Sequence, residues 1–179
     1  MYGLDASYVV DVGDILHDLG SSIAVKDELS LDDIHYNEIL FVFDGPVQFD
    51  ALITNTGAGL VLSGEVSASI RTDCSRCLES FVFPLDADIE GFFTTQDKAA
   101  ELPEDQEWEP VHNDAVDILP SVISAITIEL PIAPVHDPQC RGICPECGCD
   151  LNASTCSCES PGQSPSPFEG LRSLFKDSN

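Results

Sequence analysis

Positive charge is scarce in this chain. Seven Lys plus Arg stand against 32 Asp plus Glu in 179 residues, for a formal net charge of −25. A broad basic face that tracks a phosphate backbone is excluded, because phosphates would be repelled. The imbalance favours a basic protein partner, or simply solubility. The chain also lacks any apolar run of eighteen residues, so no transmembrane helix is expected. Its first residues, Met1-Tyr-Gly-Leu-Asp5, show no charged segment followed by an apolar one, so no secretory signal is expected and a cytoplasmic protein is. There is no phosphate-cradling glycine loop, no nucleophile elbow and no internal repeat of useful length.

What the chain does have is cysteine. Six of its eight cysteines fall between residues 136 and 158, as Cys140, Cys144, Cys147, Cys149, Cys156 and Cys158, with His136 ahead of them. The other two form Cys74-Ser-Arg-Cys77 far upstream. In a reducing cytosol this usage argues for metal rather than disulfides, which would require an exported chain. A Cys-x-x-Cys pair lets one tight turn present two sulfurs to one ion. Two such pairs, a Cys156-x-Cys158 and a His-x-x-x-Cys make a strong tetrahedral-metal signal. Gly148 after Cys147 can turn backbone N–H groups toward the sulfurs, and Pro145 restricts the same turn. Arg71, Arg76 and Arg141 lie within a few positions of a cysteine, where positive charge favours the thiolate. Of the histidines, only His136 has cysteine neighbours; His17, His35 and His112 do not read as ligands.

The rest reads as α+β: an antiparallel sheet or partial barrel, one packed amphipathic helix, and a C-terminal cysteine-rich zinc knuckle. Residues 1–30 are mixed, with a short strand over 8–12 and a helical turn from Ile15, capped by Asp14 and stopped by Gly20. Strands are predicted over 39–43, 47–54, 60–71 and 80–89. In the third, Leu60, Leu62, Gly64, Val66, Ala68 and Ile70 share one face. Cys74 and Cys77 then fall at a hairpin end. Residues 94–114 are acidic and aperiodic and read as an exposed, mobile loop carrying the single tryptophan, Trp108. A helix is predicted from Asp117 as N-cap to Leu130, with Ile118, Val122, Ile126 and Leu130 in one stripe. It should pack on the sheet and bring His136 and Cys140 toward the hairpin end. The domain reading is a core over 1–135, a metal-binding segment over 136–160, and a linker with a short amphipathic tail over 161–179.

At this point the chain resembles the YceD family, bacterial and plastid proteins linked to accumulation of large-subunit ribosomal RNA. The resemblance rests on Cys74-Ser-Arg-Cys77-Leu-Glu79, on Asp117-Ile-Leu119 followed by an apolar helix and Leu130-Pro131, and on Pro134-Val-His136-Asp with Cys140. It rests further on Arg141-Gly-Ile-Cys144-Pro-Glu-Cys147-Gly148 with Asp150-Leu-Asn152, and on the tail carrying Phe168, Leu171 and Leu174. Many relatives have Cys where this chain has His136, Asp150 replaces a common Asn, and Cys149 has no counterpart, which makes it a spare thiol. The resemblance implies a ribosome-biogenesis role whose partners are ribosomal proteins or a pre-ribosomal particle of the large subunit.

Without Cys149, seven cysteines and His136 fill two tetrahedral sites, for one or two Zn²⁺. One partition is Cys74, Cys77, His136 and Cys140, then Cys144, Cys147, Cys156 and Cys158. The other joins Cys74 and Cys77 to Cys144 and Cys147 in zinc-ribbon fashion, leaving His136, Cys140, Cys156 and Cys158. The first is preferred, because 144–158 then closes a short loop of its own and some relatives resemble the first set alone. Neither leaves an open coordination position, so the metal reads as structural and the chain as a non-enzyme with no catalytic residue. The competing classes are a zinc-ribbon interaction protein of another pathway, a metal- or thiol-dependent enzyme, and, for the all-cysteine set, an iron–sulfur protein.

Overall fold

The structure, a computed structural model, describes residues 7–158. The expected linker and C-terminal tail therefore lie outside the described residues. The architecture is built around one long strand, β6 (Leu60–Asp73). Its inward positions Leu60, Leu62, Val66 and Ile70 are all buried, and its Ser63, Glu65, Ser67 and Arg71 are exposed. That period of two is what a strand with one wet face needs. β7 (Ser80–Thr94) pairs with β6 antiparallel along its whole length, from Leu60↔Phe93 to Asp73↔Ser80.

The other edge of β6 is shared by two strands in succession. β5 (Val47–Asn55) covers residues 60–67, and β4 (Ile39–Phe43) meets Ile70 and Arg71. Between them residues 44–46 leave the ladder, while the Asp44 N–H still donates to the Ser69 carbonyl at 2.8 Å and Asp44 pairs with Arg71. β2 (Ser22–Leu29) adds to β5, and β3 (Ile34–Tyr36) to β4, the latter through the two-residue turn Asn37-Glu38 with φ of 49° and 65°. That is the primed turn whose twist suits a hairpin. β8 (Glu109–Pro110) runs parallel to the end of β7, completing a seven-stranded sheet, and β1 (Val9–Asp11) pairs with β9 (Ala115–Asp117) apart from it.

Three helices are described: the helical turn expected near Ile15, the expected long helix, and a third, near Lys98, that was not expected. α1 (Gly13–Leu16) and α2 (Gln96–Ala99) are single turns, and α3 (Leu119–Glu129) is the long one. α1 begins before its expected cap, with Asp14 inside it; Asn55 pins its end by donating to the carbonyls of Ile15 and Leu16 at 2.7 and 3.0 Å. α3 lies mainly along β7 and buries Leu119, Val122, Ala125 and Ile126, but Ile128 is 76% exposed, so its apolar face is imperfect. It starts two residues later than expected. Asp117 stays in β9, where its Oδ1 accepts the N–H of Leu119 at 3.1 Å and of Tyr8 at 2.9 Å. Among the described residues no helix is long and apolar enough to cross a membrane.

Five elements escape the sequence pattern: β2, β3, α2, β8 and β9. β2 carries Asp27 at an inward position opposite Phe49, held there by the Tyr8 hydroxyl at 2.8 Å. The segment 94–114 contains α2 and β8 instead of running without structure, and the Val111 N–H donates to the Thr94 carbonyl at 3.0 Å.

The sheet is tightest where β5 meets β6. Gly64 lies opposite Ala51, and a Cβ there would come within 2.4 Å of the Asp50 carbonyl oxygen and 2.6 Å of the Ala51 Cα. These are backbone atoms that cannot swing aside. Gly64→Ala is expected to destabilise the fold by about 1–3 kcal/mol, read as a lower urea midpoint at unchanged slope.

Candidate metal centre

The β6–β7 turn fixes the first two candidate ligands. The Cys74 N–H donates to the Glu79 carbonyl and the Leu78 N–H to the Cys74 carbonyl, both at 2.9 Å, so the turn projects both thiols from the hairpin end. The segment after α3 meets it there. The Ser75 N–H donates to the Pro134 carbonyl at 2.8 Å, and the Arg76 guanidinium donates to the carbonyls of Pro138 and Cys140 at 3.0 Å each. The Ile143 N–H closes the contact on the Arg76 carbonyl at 3.0 Å. Gly142 has φ +74°, and a Cβ there would come within 2.9 Å of the same carbonyl, so the approach needs glycine.

This docking gathers Cys74, Cys77, His136 and Cys140 with their donor atoms all within 4.8 Å of one another. The Cys74 and Cys140 sulfurs are 3.9 Å apart, and Cys77 Sγ is 3.4 Å from His136 Nδ1. A tetrahedron with metal–sulfur bonds of about 2.3 Å has edges of about 3.8 Å. The donor set therefore fits a metal ion in both spacing and chemistry. Phe81 on β7 packs edge-on against the His136 ring, with centroids 6.3 Å apart.

A second group, Cys144, Cys147, Cys156 and Cys158, also has its donor atoms within 4.8 Å of one another. Its turn is the familiar thiol knuckle: the Cys144 N–H donates to the Cys149 carbonyl at 2.9 Å and the Gly148 N–H to the Cys144 carbonyl at 2.8 Å, with Gly148 at φ +71°. Each group can hold a metal ion. Of the two groupings that the spacing allowed, the structure brings together the first. His17, His35 and His112 belong to neither group, and neither does Cys149. The Cys149 thiol is pushed up to about 12, chiefly by the neighbouring Cys147, with burial and Cys156 adding to it.

The electrostatics of both groups are those of crowded thiols. Burial pushes Cys74 up, but the backbone N–H groups of His136, Arg76 and Cys77 and the His136 ring outweigh it and hold Cys74 at about 5. For Cys77 the Glu79 N–H pulls down, while burial and the Cys74 and Cys140 sulfurs push it up to about 11. In the second group the Cys149 N–H leads in holding Cys147 at about 6, and Cys147 in turn pushes Cys158 up to about 12. In the first group one thiolate is favoured and a second is resisted; in the second, the Cys158 N–H also holds Cys156 down, and the resistance falls on Cys158. A central cation removes that resistance.

Two supporting residues were not legible as such. Arg76 was read as a thiolate-favouring charge; instead its guanidinium holds backbone carbonyls, and Arg71 is engaged by Asp44. Asn152 belongs to the second knuckle in sequence but serves the first group. Its Nδ2 donates to Cys140 Sγ at 3.4 Å, and its Oδ1 accepts the Arg141 N–H at 2.7 Å. Asp150 Oδ1 fixes it from behind, 2.8 Å from its N and 2.9 Å from its Nδ2. N–H···S contacts of this kind orient metal-binding sulfurs.

Comparison with known proteins agrees with this picture. A family model described as large ribosomal RNA subunit accumulation protein YceD matches residues 62–175. An uncharacterised protein of Mycobacterium tuberculosis is 29% identical over 116 residues, covering 64% of this chain and 56% of the relative. One from Mycobacterium leprae is 27% identical over 134 residues, covering 74% of this chain and 62% of the relative. A maize protein described as large ribosomal RNA subunit accumulation protein YCED homolog 1, chloroplastic, is 26% identical over 157 residues, covering 70% and 53%. The match thus spans little more than half the length of these curated relatives. No solved structure matches the chain.

Asn152 can be tested directly. Asn152→Ala leaves the Arg141 N–H and the Cys140 sulfur without partners and should cost about 1 kcal/mol. Asn152→Asp keeps the acceptor for the Arg141 N–H but loses the donor to sulfur and to Asp150 Oδ1, and sets a second carboxylate beside Asp150. It should be no more stable than Asn152→Ala, and both should raise the alkylation rate of Cys140, read by peptide mass mapping.

Proposed function

The chain belongs to the YceD family, and we propose that it is a zinc-stabilised assembly factor of the large ribosomal subunit, acting by binding and not by catalysis. The family match carries the ribosomal part, through its description as an rRNA accumulation protein. The two closed groups of four donors support structural zinc. Cys74, Cys77, His136 and Cys140 would hold one ion, and Cys144, Cys147, Cys156 and Cys158 the other. Four protein ligands per ion leave no position for substrate or activated water. Zinc would neutralise the crowded thiolates and clamp the 134–158 segment to the β6–β7 hairpin end. The reading implies a reducing compartment such as the cytoplasm, where thiols stay free for metal.

The partner in this reading is a ribosomal protein or a pre-ribosomal particle, met through protein contacts. With a net charge of −25 the chain would be repelled by naked RNA, most strongly at low salt. Affinity purification at native salt should recover precursors of the large subunit or their proteins. Recovery of neither overturns the ribosomal reading.

Two measurements test the metal. Purified protein should carry two zinc ions per chain and no chromophore; iron with labile sulfide would replace the assignment. Cys77→Ser should lose one ion and lower the melting temperature, and Cys156→Ser should lose the other. Acid is expected to release the metal, since the ligands bind it deprotonated and protons compete more strongly as pH falls. Metal retention should therefore be full at neutral pH and decline as the pH falls, read by metal content after dialysis across a pH series.

A further inference from the structure

The far end of the β6–β7 ladder carries a groove that the metal centre does not use. It has a volume of about 990 Å³. It runs along the edge of β7, lined by the cross-strand pair Val61↔Phe92 and Glu90, with the segment carrying Glu107 and Trp108 as one wall and the start of α3 at Pro120 beyond the edge. Trp108 is 37% exposed, and the next row of the sheet adds Leu52, 41% exposed, opposite Ser63. Single exposed apolar residues need no explanation, but Trp108 and Phe92 lining one groove do. The wall is anchored, because β8 follows Trp108 directly and is paired to β7 through Phe93↔Glu109.

The charge of this groove is one-sided. No Lys or Arg lines it, while Glu90, Glu107 and Glu109 do. The ion pairs among the described residues, Lys26–Asp50 and Arg71–Asp44, involve none of them. The Glu109 carboxyl is pushed up by burial and by Asp117, consistent with negative charge that no cation meets. We propose that this groove binds an extended, Lys/Arg-rich protein segment carrying an apolar side chain. Trp108 and Phe92 take the apolar contact and a cation over the indole face, and the three glutamates take the basic residues. Anionic lipid and nucleic acid meet the wrong sign of charge. The inference rests on reading the chain as a binding factor and names the chemistry of its partner. It uses residues about twelve positions along the ladder from the clusters, roughly 40 Å at the rise of a strand.

The test uses the full-length, zinc-loaded protein and a fluorescein-labelled Lys/Arg-rich peptide with a central phenylalanine. Binding should be saturable by anisotropy, should weaken with salt, and should change the emission of Trp108, the single tryptophan of the chain. Trp108→Ala should weaken binding about tenfold, whereas Trp108→Phe, which keeps an aromatic surface, should stay close to wild type. The double change Glu90→Gln with Glu107→Gln should weaken it about as much as Trp108→Ala. The matched double change Asp14→Asn with Glu28→Gln removes the same charge elsewhere and should leave affinity within about twofold. Melting curves establish that each variant is folded. The proposal is overturned if the matched control weakens binding equally, if Trp108 emission does not respond, or if a labelled uridine oligonucleotide, without peptide, binds the protein and changes Trp108 emission. Failure here leaves the zinc content and particle recovery intact. Loss of particle recovery with the peptide still bound removes the ribosomal reading and keeps the groove.

Discussion

The candidate metal centre depends on one backbone contact, the docking of the segment after α3 onto the β6–β7 turn. Cys74 and Cys140 are 66 residues apart in sequence. Holding such a pair together in an unstructured chain costs roughly 4 kcal/mol in loop closure, against roughly 2 for the 144–158 loop. The core absorbs most of this, since α3 is already laid along β7. The last step falls to Ser75 and Arg76, which donate to the carbonyls of Pro134, Pro138 and Cys140, while the Arg76 carbonyl accepts the Ile143 N–H. A bound structural zinc supplies of order 10 kcal/mol, more than enough to hold both closures. The first group therefore depends on the whole core, and the second on local turn geometry alone.

That difference also decides what the sequence could disclose. The face of β6 was legible because Leu60, Leu62, Val66 and Ile70 alternate without exception and the alternation marks a buried side. The grouping of the thiols was legible as one of two options, because short spacing favours local closure; zinc occupancy is what we propose on top of it. β2 was hidden because Asp27 stands where an apolar residue would announce a strand, and only Tyr8, 19 residues earlier in the chain, explains it. β8 was hidden because a two-residue parallel pairing has no period at all. The roles of Arg76 and Asn152 were out of reach for the same reason. Each makes its contact across the join between hairpin and knuckle, and nothing local distinguishes such an Arg or Asn from a solvated one.

The outward face of the sheet gives the acidic composition a place. Asp50, Glu65 and Asp88 stand directly opposite one another across β5, β6 and β7, with Lys26 on β2 as the row's only cation. Its pair with Asp50, at 2.9 Å, is well exposed and contributes little. Like charges in register oppose strand pairing. The sheet tolerates them because its other face buries Phe49, Ala51, Leu62, Val66 and Ile89, each worth about 1–3 kcal/mol, while a surface repulsion costs a few tenths to one. The fold thus carries a negatively charged face at modest cost, and salt or a cationic surface relieves the strain.

The β6–β7 hairpin connects these features and gives them unequal firmness. Its 80–92 stretch of β7 has β6 on one side and no strand on the other, since β8 reaches only Phe93 and Thr94. At the groove end the ladder is held by Leu60, Leu62, Ile89 and Phe93, all nearly or wholly inaccessible. At the turn end Phe81 and Phe83 are only half-buried, and Val82 is exposed. Ile70 and Thr72 on β6, and Cys74 just after it, are still buried at that end, so it is the β7 side that burial secures less, and against that end lies the docked segment with its two thiol groups. A hairpin that opens locally would fray from the turn inward, separating Cys74 and Cys77 from His136 and Cys140 while the groove end stays paired. Four donors that converge at the turn of the longest ladder are what such a strand needs to keep its full length.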